Sequence, residues 1–233
     1  MLVYLISSKE ETERKSHIKH LEELFPGLIK IDAIYPSKIH IPFYNQIKAI
    51  TKDRKGQALS DGSLGCLLSH RKIWKTILKE TNNEYALILE SDSDIVDINQ
   101  IKKNYNYVMN NFDLFFWGAF DGRMKLYKSQ KEILGNFQIG VPFIKSLYCT
   151  YGYMINKNAA IELLKQTSTF DYPIDYWKYR LKNTTIKVGG IIPNLITTKN
   201  NFSSTISNDK KTFFTTLYDS LIDLKNTIIT EIK

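Results

Sequence analysis

The residues of greatest chemical promise in this chain are carboxylates. In Leu87-Ile88-Leu89-Glu90-Ser91-Asp92-Ser93-Asp94 an apolar run ends in three acids spaced two apart. Close carboxylates repel one another, and burying them without partners is costly; a divalent cation offsets both effects. Hard oxygen donors suit Mn2+ or Mg2+, which keep coordination positions open for phosphate oxygens. Such an ion bridges the phosphates of a nucleoside diphosphate and neutralises charge that develops on it as it leaves. Alternate residues of an extended or turn segment face one way, so Asp92 and Asp94 are the expected metal ligands, directly or through water. The competing reading is a solvated turn, or a helix cap formed by Asp92 or Ser93.

The surroundings of the acids favour the metal. Tyr85 to Leu89 is apolar without alternation, as in a central strand covered on both faces. Ligands of open α/β sheets bind beyond the carboxyl ends of such strands. The chain opens in the same style. Leu2 to Ile6 reads as a strand, and a helix follows from Lys9 to Phe25, ended by Pro26-Gly27. Leu28 to Ile34 then reads as a second strand, which makes the start of a parallel sheet. Tyr35 to Asp61, with Pro36, Pro42 and Gly56, reads as a loop-rich excursion. Ser63 to Lys79 is a helix with one broad apolar face. Ile98 to Asn111 and Lys157 to Gln166 are further helices, and Asp113 to Trp117 is a buried strand. Phe143 to Ile155 gives one or two strands around Gly152, and Thr185 to Val188 a short one. Leu217, Leu221, Leu224 and Ile228 recur at helical spacing near the end.

Composition narrows the class. With 43% hydrophobic residues the chain has ample material for a core, which excludes wholesale disorder. The net charge of +8 raises affinity for anions of any kind. Lys is scattered, and no zinc finger or aromatic RNA-binding motif appears, so nucleic acid is not the expected partner. Cys66 and Cys149 lie in apolar runs and read as free thiols, which fits a reducing cytoplasm. No cleavable leader and no run of 18 apolar residues is apparent, so a cytoplasmic protein is expected. The basic, amphipathic tail from Lys210 to Lys233 suits peripheral contact with an anionic inner membrane; packing on the domain, or on a second copy, is the alternative.

Four blocks together resemble glycosyltransferase family 25, the lipopolysaccharide-biosynthesis glycosyltransferases. Leu59-Ser60-Asp61-Gly62-Ser63-Leu64-Gly65-Cys66-Leu67-Leu68-Ser69-His70 is similar to that family's Leu-Ser/Thr-x-Gly-Glu-x-Gly-Cys-x-x-Ser-His signature. The first strand with Arg14, the strand ending at Glu90 to Asp94, and Tyr151 to Ile155 with Pro173-Ile174-Asp175 resemble its other blocks. There are two departures. Ser63 stands where the family has Glu, and the acidic cluster reads Glu-Ser-Asp-Ser-Asp instead of Glu-Asp-Asp, so Glu90 joins the candidate carboxylates.

The resemblance implies a GT-A-like single α/β domain with a mainly parallel central sheet over residues 1–205, and the helical spacing beyond it adds a C-terminal amphipathic helix over 206–233. It also implies transfer of a hexose, galactose from UDP-galactose, to a saccharide acceptor of bacterial lipooligosaccharide, with inversion and a metal. Arg14, Gly62, Ser69, His70 and Glu90 are then candidate donor contacts. A solvated face for Arg14, helix packing for Gly62 and a core hydrogen bond for His70 compete with those roles. Asp175 and Asp121 are the candidate bases. Two other classes use similar residues. A sugar-phosphate nucleotidyltransferase would bring a Gly-rich loop after the first strand, which Ser7-Ser8-Lys9-Glu10 lacks. A sugar- or membrane-binding scaffold would account for the altered acidic cluster without catalysis.

Overall fold

Long apolar runs that do not alternate must be covered on both faces, and this sequence places them at the centre of one sheet. A computed structural model describes residues 1–38, 44–55, 58–80, 85–199 and 213–232. The chain opens with β1 (Leu2–Ser7), α1 (Lys15–Leu24) and β2 (Ile29–Asp32). Two helices follow, α2 (Tyr44–Lys55) and α3 (Asp61–Ile77), and then β3 (Tyr85–Glu90) and the short β4 (Ser93–Ile95). Next come α4 (Ile98–Asn111), β5 (Leu114–Phe116), β6 (Leu126–Leu134), β7 (Phe137–Pro142), β8 (Gly152–Asn156) and α5 (Lys157–Gln166). The one-turn α6 (Trp177–Arg180), β9 (Val188–Ile192), β10 (Ile196–Thr198) and α7 (Phe213–Ile232) complete the chain.

The main sheet has the order β2-β1-β3-β8-β5-β9-β7-β6. Strands β2, β1, β3, β5, β9 and β6 share one direction, while β8 and β7 run against it. The α/β architecture with a mainly parallel sheet and a C-terminal helix is therefore the one expected. Ala86 to Leu89 of β3 are fully buried, as their unbroken apolar run requires. Since β1, β2 and β3 are parallel, their carboxyl ends meet at one edge. Antiparallel β8 begins at that edge, with Gly152 opposite Leu89. Its approach, Cys149 to Tyr151, therefore comes alongside the acids that follow β3.

Several elements differ from the reading of the sequence. The helix expected from Lys9 starts at Lys15, because Thr12–Arg14 forms a 3-10 turn and Glu11 accepts a hydrogen bond from the Ser8 backbone N–H. The excursion from Tyr35 to Asp61 contains α2; its prolines precede the helix and so do not break it. The strand expected at Thr185 starts at Val188, whereas Phe143 to Ile155 holds one strand, β8, within the reading, after a 3-10 turn at Ile144–Ser146. The β6–β7 hairpin was not anticipated. The boundary at 205/206 falls outside the described residues. Beyond it, α7 packs against β6, with Lys125 and Asp223 3.3 Å apart.

The Gly-Cys-x-x-Ser block fastens α3 to the segment after β2. A Cβ on Gly65 would lie 2.3 Å from the Ile34 carbonyl oxygen and 2.9 Å from Cδ of Pro36. One turn later the Ser69 hydroxyl accepts from the Ile34 N–H at 2.9 Å and donates to the Gly65 carbonyl at 2.7 Å. Gly65→Ala is expected to lower stability by about 1–3 kcal/mol through overpacking. Chemical denaturation reads this directly, and an unchanged midpoint would show that helix and loop separate without cost.

Candidate active site

The turn that follows β3 is fixed by groups drawn from across the sequence. The Ser93 hydroxyl accepts from the Glu90 N–H at 2.8 Å and donates to the Tyr151 carbonyl. Ring Nε2 of His17, on α1, meets the Ser93 carbonyl at 2.8 Å. The backbone of β10 pairs with β4, and the Lys199 N–H donates to the Asp92 carbonyl at 2.9 Å. Arg14, buried after β1, donates to the Ser91 hydroxyl at 2.7 Å and lies 3.8 Å from Asp92 Oδ2. The two serines that depart from the family pattern thus hold the turn in shape. Nothing local marks His17 except its place one helical turn after Arg14.

Glu90 is held by a buried chain of hydrogen bonds. Trp74 Nε1–H donates to the Tyr153 hydroxyl at 2.9 Å, and that hydroxyl meets His70 Nδ1 at 2.8 Å. His70 Nε2 then lies 3.0 Å from Glu90 Oε1. An indole N–H can only donate, so one set of protons satisfies every group: Tyr153 donates to Nδ1, and Nε2–H donates to Glu90. Thr150 also donates to Glu90 Oε1. Burial pushes the Glu90 pKa up, but the hydrogen bonds from His70 and the Thr150 hydroxyl and the Arg14 charge outweigh it and hold the carboxyl below its usual range.

Asp92 is treated differently. Burial and the neighbouring Glu90 charge raise its pKa from 3.8 to about 6, against the pull of Arg14. Its Oδ1 is buried without a hydrogen-bond partner among the described residues. An orphaned carboxylate oxygen of this kind fits a hard divalent cation. The trio Cys66, His70 and Glu90, whose ligand atoms lie within 4.8 Å of one another, fits one poorly. Both His70 nitrogens are engaged, and burial holds the Cys66 thiol well above its usual pKa, so it stays protonated.

Two cavities meet at this turn. One, of about 290 Å³, is walled by Arg14, Tyr35, Gly62, Ser69, His70 and the acids. The other, of about 420 Å³, is walled by Phe120, Tyr148, Thr150, Tyr151, Asp175 and Tyr176. Cys66, Glu90 and Asp92 line both. Arg14, Gly62, Ser69, His70, Glu90, Asp92 and Asp175 are therefore gathered around one junction. Asp94 lines neither cavity; it lies on β4, and its charge acts on His17. Asp121 belongs to the short 3-10 turn Phe120–Gly122, and its side chain lies outside the described residues. Ser69 and His70 reach the cavity wall with their polar atoms already engaged in the fold. Thr150 carries no local signal, because it reaches Glu90 only through the pairing of β8 with β3.

Comparison with known proteins identifies the family of the chain. Procollagen galactosyltransferase 1-B of Xenopus laevis is 28% identical over 173 residues, covering 70% of this chain and 28% of that protein. A Haemophilus influenzae protein, named only provisionally as a glycosyltransferase, is 30% identical over 168 residues, covering 70% of this chain and 56% of its own length. The chain thus spans from about a quarter to just over half of these relatives. A crystal structure of S. aureus TarS 1-349 superposes with a TM-score of 0.43 at 15% identity, over 82% of this chain and 58% of that one. The model of glycosyltransferase family 25 (LPS biosynthesis protein) matches residues 1–177, and the chain belongs to that family.

Proposed function

We propose that this protein transfers a hexose, galactose from UDP-galactose, to a saccharide acceptor of bacterial lipooligosaccharide, with inversion. The observation that carries the reading is the pair of cavities that share Glu90 and Asp92 at the end of β3. The first takes the nucleotide-sugar donor in a GT-A-like manner, and the second takes the acceptor. The family description names LPS biosynthesis, and the Xenopus relative's name supplies galactose.

Five carboxylates line the two cavities, Glu11, Asp61, Glu90, Asp92 and Asp175, against the guanidinium of Arg14 and, at Asp61, the ammonium of Lys48. A diphosphate is repelled by such a site unless a cation accompanies it. Mn2+ or Mg2+ supplies that charge when bound, and the orphaned oxygen of Asp92 is its best-suited ligand here, with Asp94 or Glu90 as its partner. Arg14 sets the Asp92 carboxylate. His70 and Thr150 hold Glu90 in place. Asp175 lines the acceptor cavity and is the better-supported base; as the acceptor hydroxyl attacks the anomeric carbon and UDP departs, its carboxylate takes the hydroxyl proton.

No helix among the described residues is long and apolar enough to cross a membrane. Helix α7 buries Asn226 and Thr230 while exposing Leu224 and Ile228, and this outward apolar stripe supports peripheral contact with the cytoplasmic face of the inner membrane.

Calorimetry with UDP-galactose, with and without Mn2+, tests the donor site. Asp92→Ala is expected to weaken metal-dependent donor binding by at least about tenfold, on the scale of lost ligand-shell groups. Asp175→Asn should leave donor binding intact and slow transfer by about 10²-fold or more. Metal-independent binding unaltered by Asp92→Ala would sink the assignment.

A pH prediction follows from Asp92. Its folded pKa of about 6 lies above the ordinary 3.8, so between those values the native state binds more protons than the unfolded state. Stability of the ion-free protein therefore falls as pH rises through that window. Asp92→Asn should be more stable than wild type above pH 6 by about 1–2 kcal/mol, and the two should converge towards pH 4. Thermal melts across this range read the difference; parallel pH profiles would show that Asp92 is not penalised by burial.

A further inference from the structure

We propose that the acceptor cavity continues past Tyr148 and Tyr176 into a small cationic pocket between Lys145 and Lys178, which receives an anionic group, phosphate or carboxylate, carried by the acceptor saccharide. This rests on the acceptor assignment above and specifies the acceptor's class.

A third cavity, of about 110 Å³, adjoins the acceptor cavity and shares Tyr148 and Tyr176 with it. Its walls come from the 3-10 turn Ile144–Ser146 and from α6, which pack on each other. The buried Trp177 fixes one wall, because its indole N–H donates to the Cys149 carbonyl at 2.8 Å. Lys145 and Lys178 are the charged residues lining it, and no carboxylate does. Neither lysine has a carboxylate within 4.0 Å among the described residues; Lys178 instead sits 4.7 Å from the centre of the Tyr179 ring. Tyr148 and Tyr176, which line both cavities, are 39% and 37% exposed, and Phe120 of the acceptor cavity is 41% exposed. Partly exposed aromatic side chains in a row are the surface on which sugar C–H faces pack, amphipathic body against amphipathic body.

The distribution of charge supplies the orientation. The acceptor cavity contains Glu90, Asp92 and Asp175 where the new bond forms, so an anionic group on the acceptor is repelled there. The two lysines lie beyond the tyrosines and attract it. A saccharide that carries a neutral hydroxyl at one end and an anion at the other fits in one direction only, with the hydroxyl toward Asp175. The pocket thus contributes selectivity among acceptors, and donor binding does not involve it.

Direct binding tests the pocket without requiring turnover. Lactose, lactose 6′-phosphate and 3′-sialyllactose are titrated into wild type and into the Lys145→Ala/Lys178→Ala variant, followed by NMR line broadening at low and high salt. At least one anionic probe should bind wild type about five- to tenfold more tightly than lactose, within the range of two exposed ion pairs, and the preference should shrink with salt. Whichever probe is preferred identifies the anion. In the variant the preference should vanish while lactose affinity stays the same. Equal affinity for lactose and both anionic probes in wild type, or a preference that survives in the variant, overturns the proposal. UDP-galactose hydrolysis is measured in parallel on both proteins. Its absence in wild type would defeat the transferase reading alone, since the anionic preference is read without donor.

Discussion

Two carboxylates at the end of a buried strand are the constraint around which the molecule is organised. Moving an ionised carboxyl out of water costs several kcal/mol unless partners replace the lost hydration. Glu90 receives such partners, with His70 from α3 and Thr150 from the approach to β8. Asp92 has Arg14 3.8 Å from its Oδ2, but its Oδ1 has no hydrogen bond among the described residues, and its pKa moves up while that of Glu90 moves down. Neighbouring acids are thus pushed in opposite directions by their different surroundings. Each compensating group comes from a different element, so the site exists only when β1, α3, β3 and β8 are assembled.

What the sequence disclosed follows from how each element is stabilised. Strand β3 was legible because Ala86 to Leu89 are apolar without alternation, a pattern that solvent would not tolerate on either face. Helix α3 was legible because Leu64, Leu67, Ile73, Trp74 and Ile77 form one buried face. The hairpin of β6 and β7 was hidden. Its first strand, Leu126–Leu134, lies at the sheet edge and is exposed along much of its length, so it carries polar residues where a buried strand would show its period. The reversed direction of β8 was also unreadable, since direction is set by tertiary pairing and leaves no mark on the residues.

The site shows the same division. The Gly65 to His70 block pointed to a functional helix, yet Ser69 and His70 act there by tying the helix to Ile34 and to Glu90. Ser91 and Ser93 looked like erosion of an acidic motif; their hydroxyls in fact define the turn that aims Asp92 into the cavities. Arg14 read equally well as a solvated helix residue until the parallel pairing of β1 with β3 brought it beside Asp92. The contacts of Arg14 with Ser91 and of His17 with Ser93 join residues more than 70 positions apart. Spacing along the chain carries no information about them.

Net charge is the property that most misdescribes this site. A chain at +8 suggests a surface that collects anions, yet the residues around the two cavities shared by Glu90 and Asp92 are strongly acidic. Field strength at a ligand depends on the charges within about a Debye length and on how far they are desolvated, so the distant lysines cannot compensate for Asp92 and Glu90. The acidic junction discriminates against any anion that arrives without a counter-charge, whereas the positive surface raises the local concentration of anions outside it. On the proposed function, selectivity for a cation-bearing diphosphate in one cavity and for a neutral hydroxyl in the other would follow from the same two carboxylates.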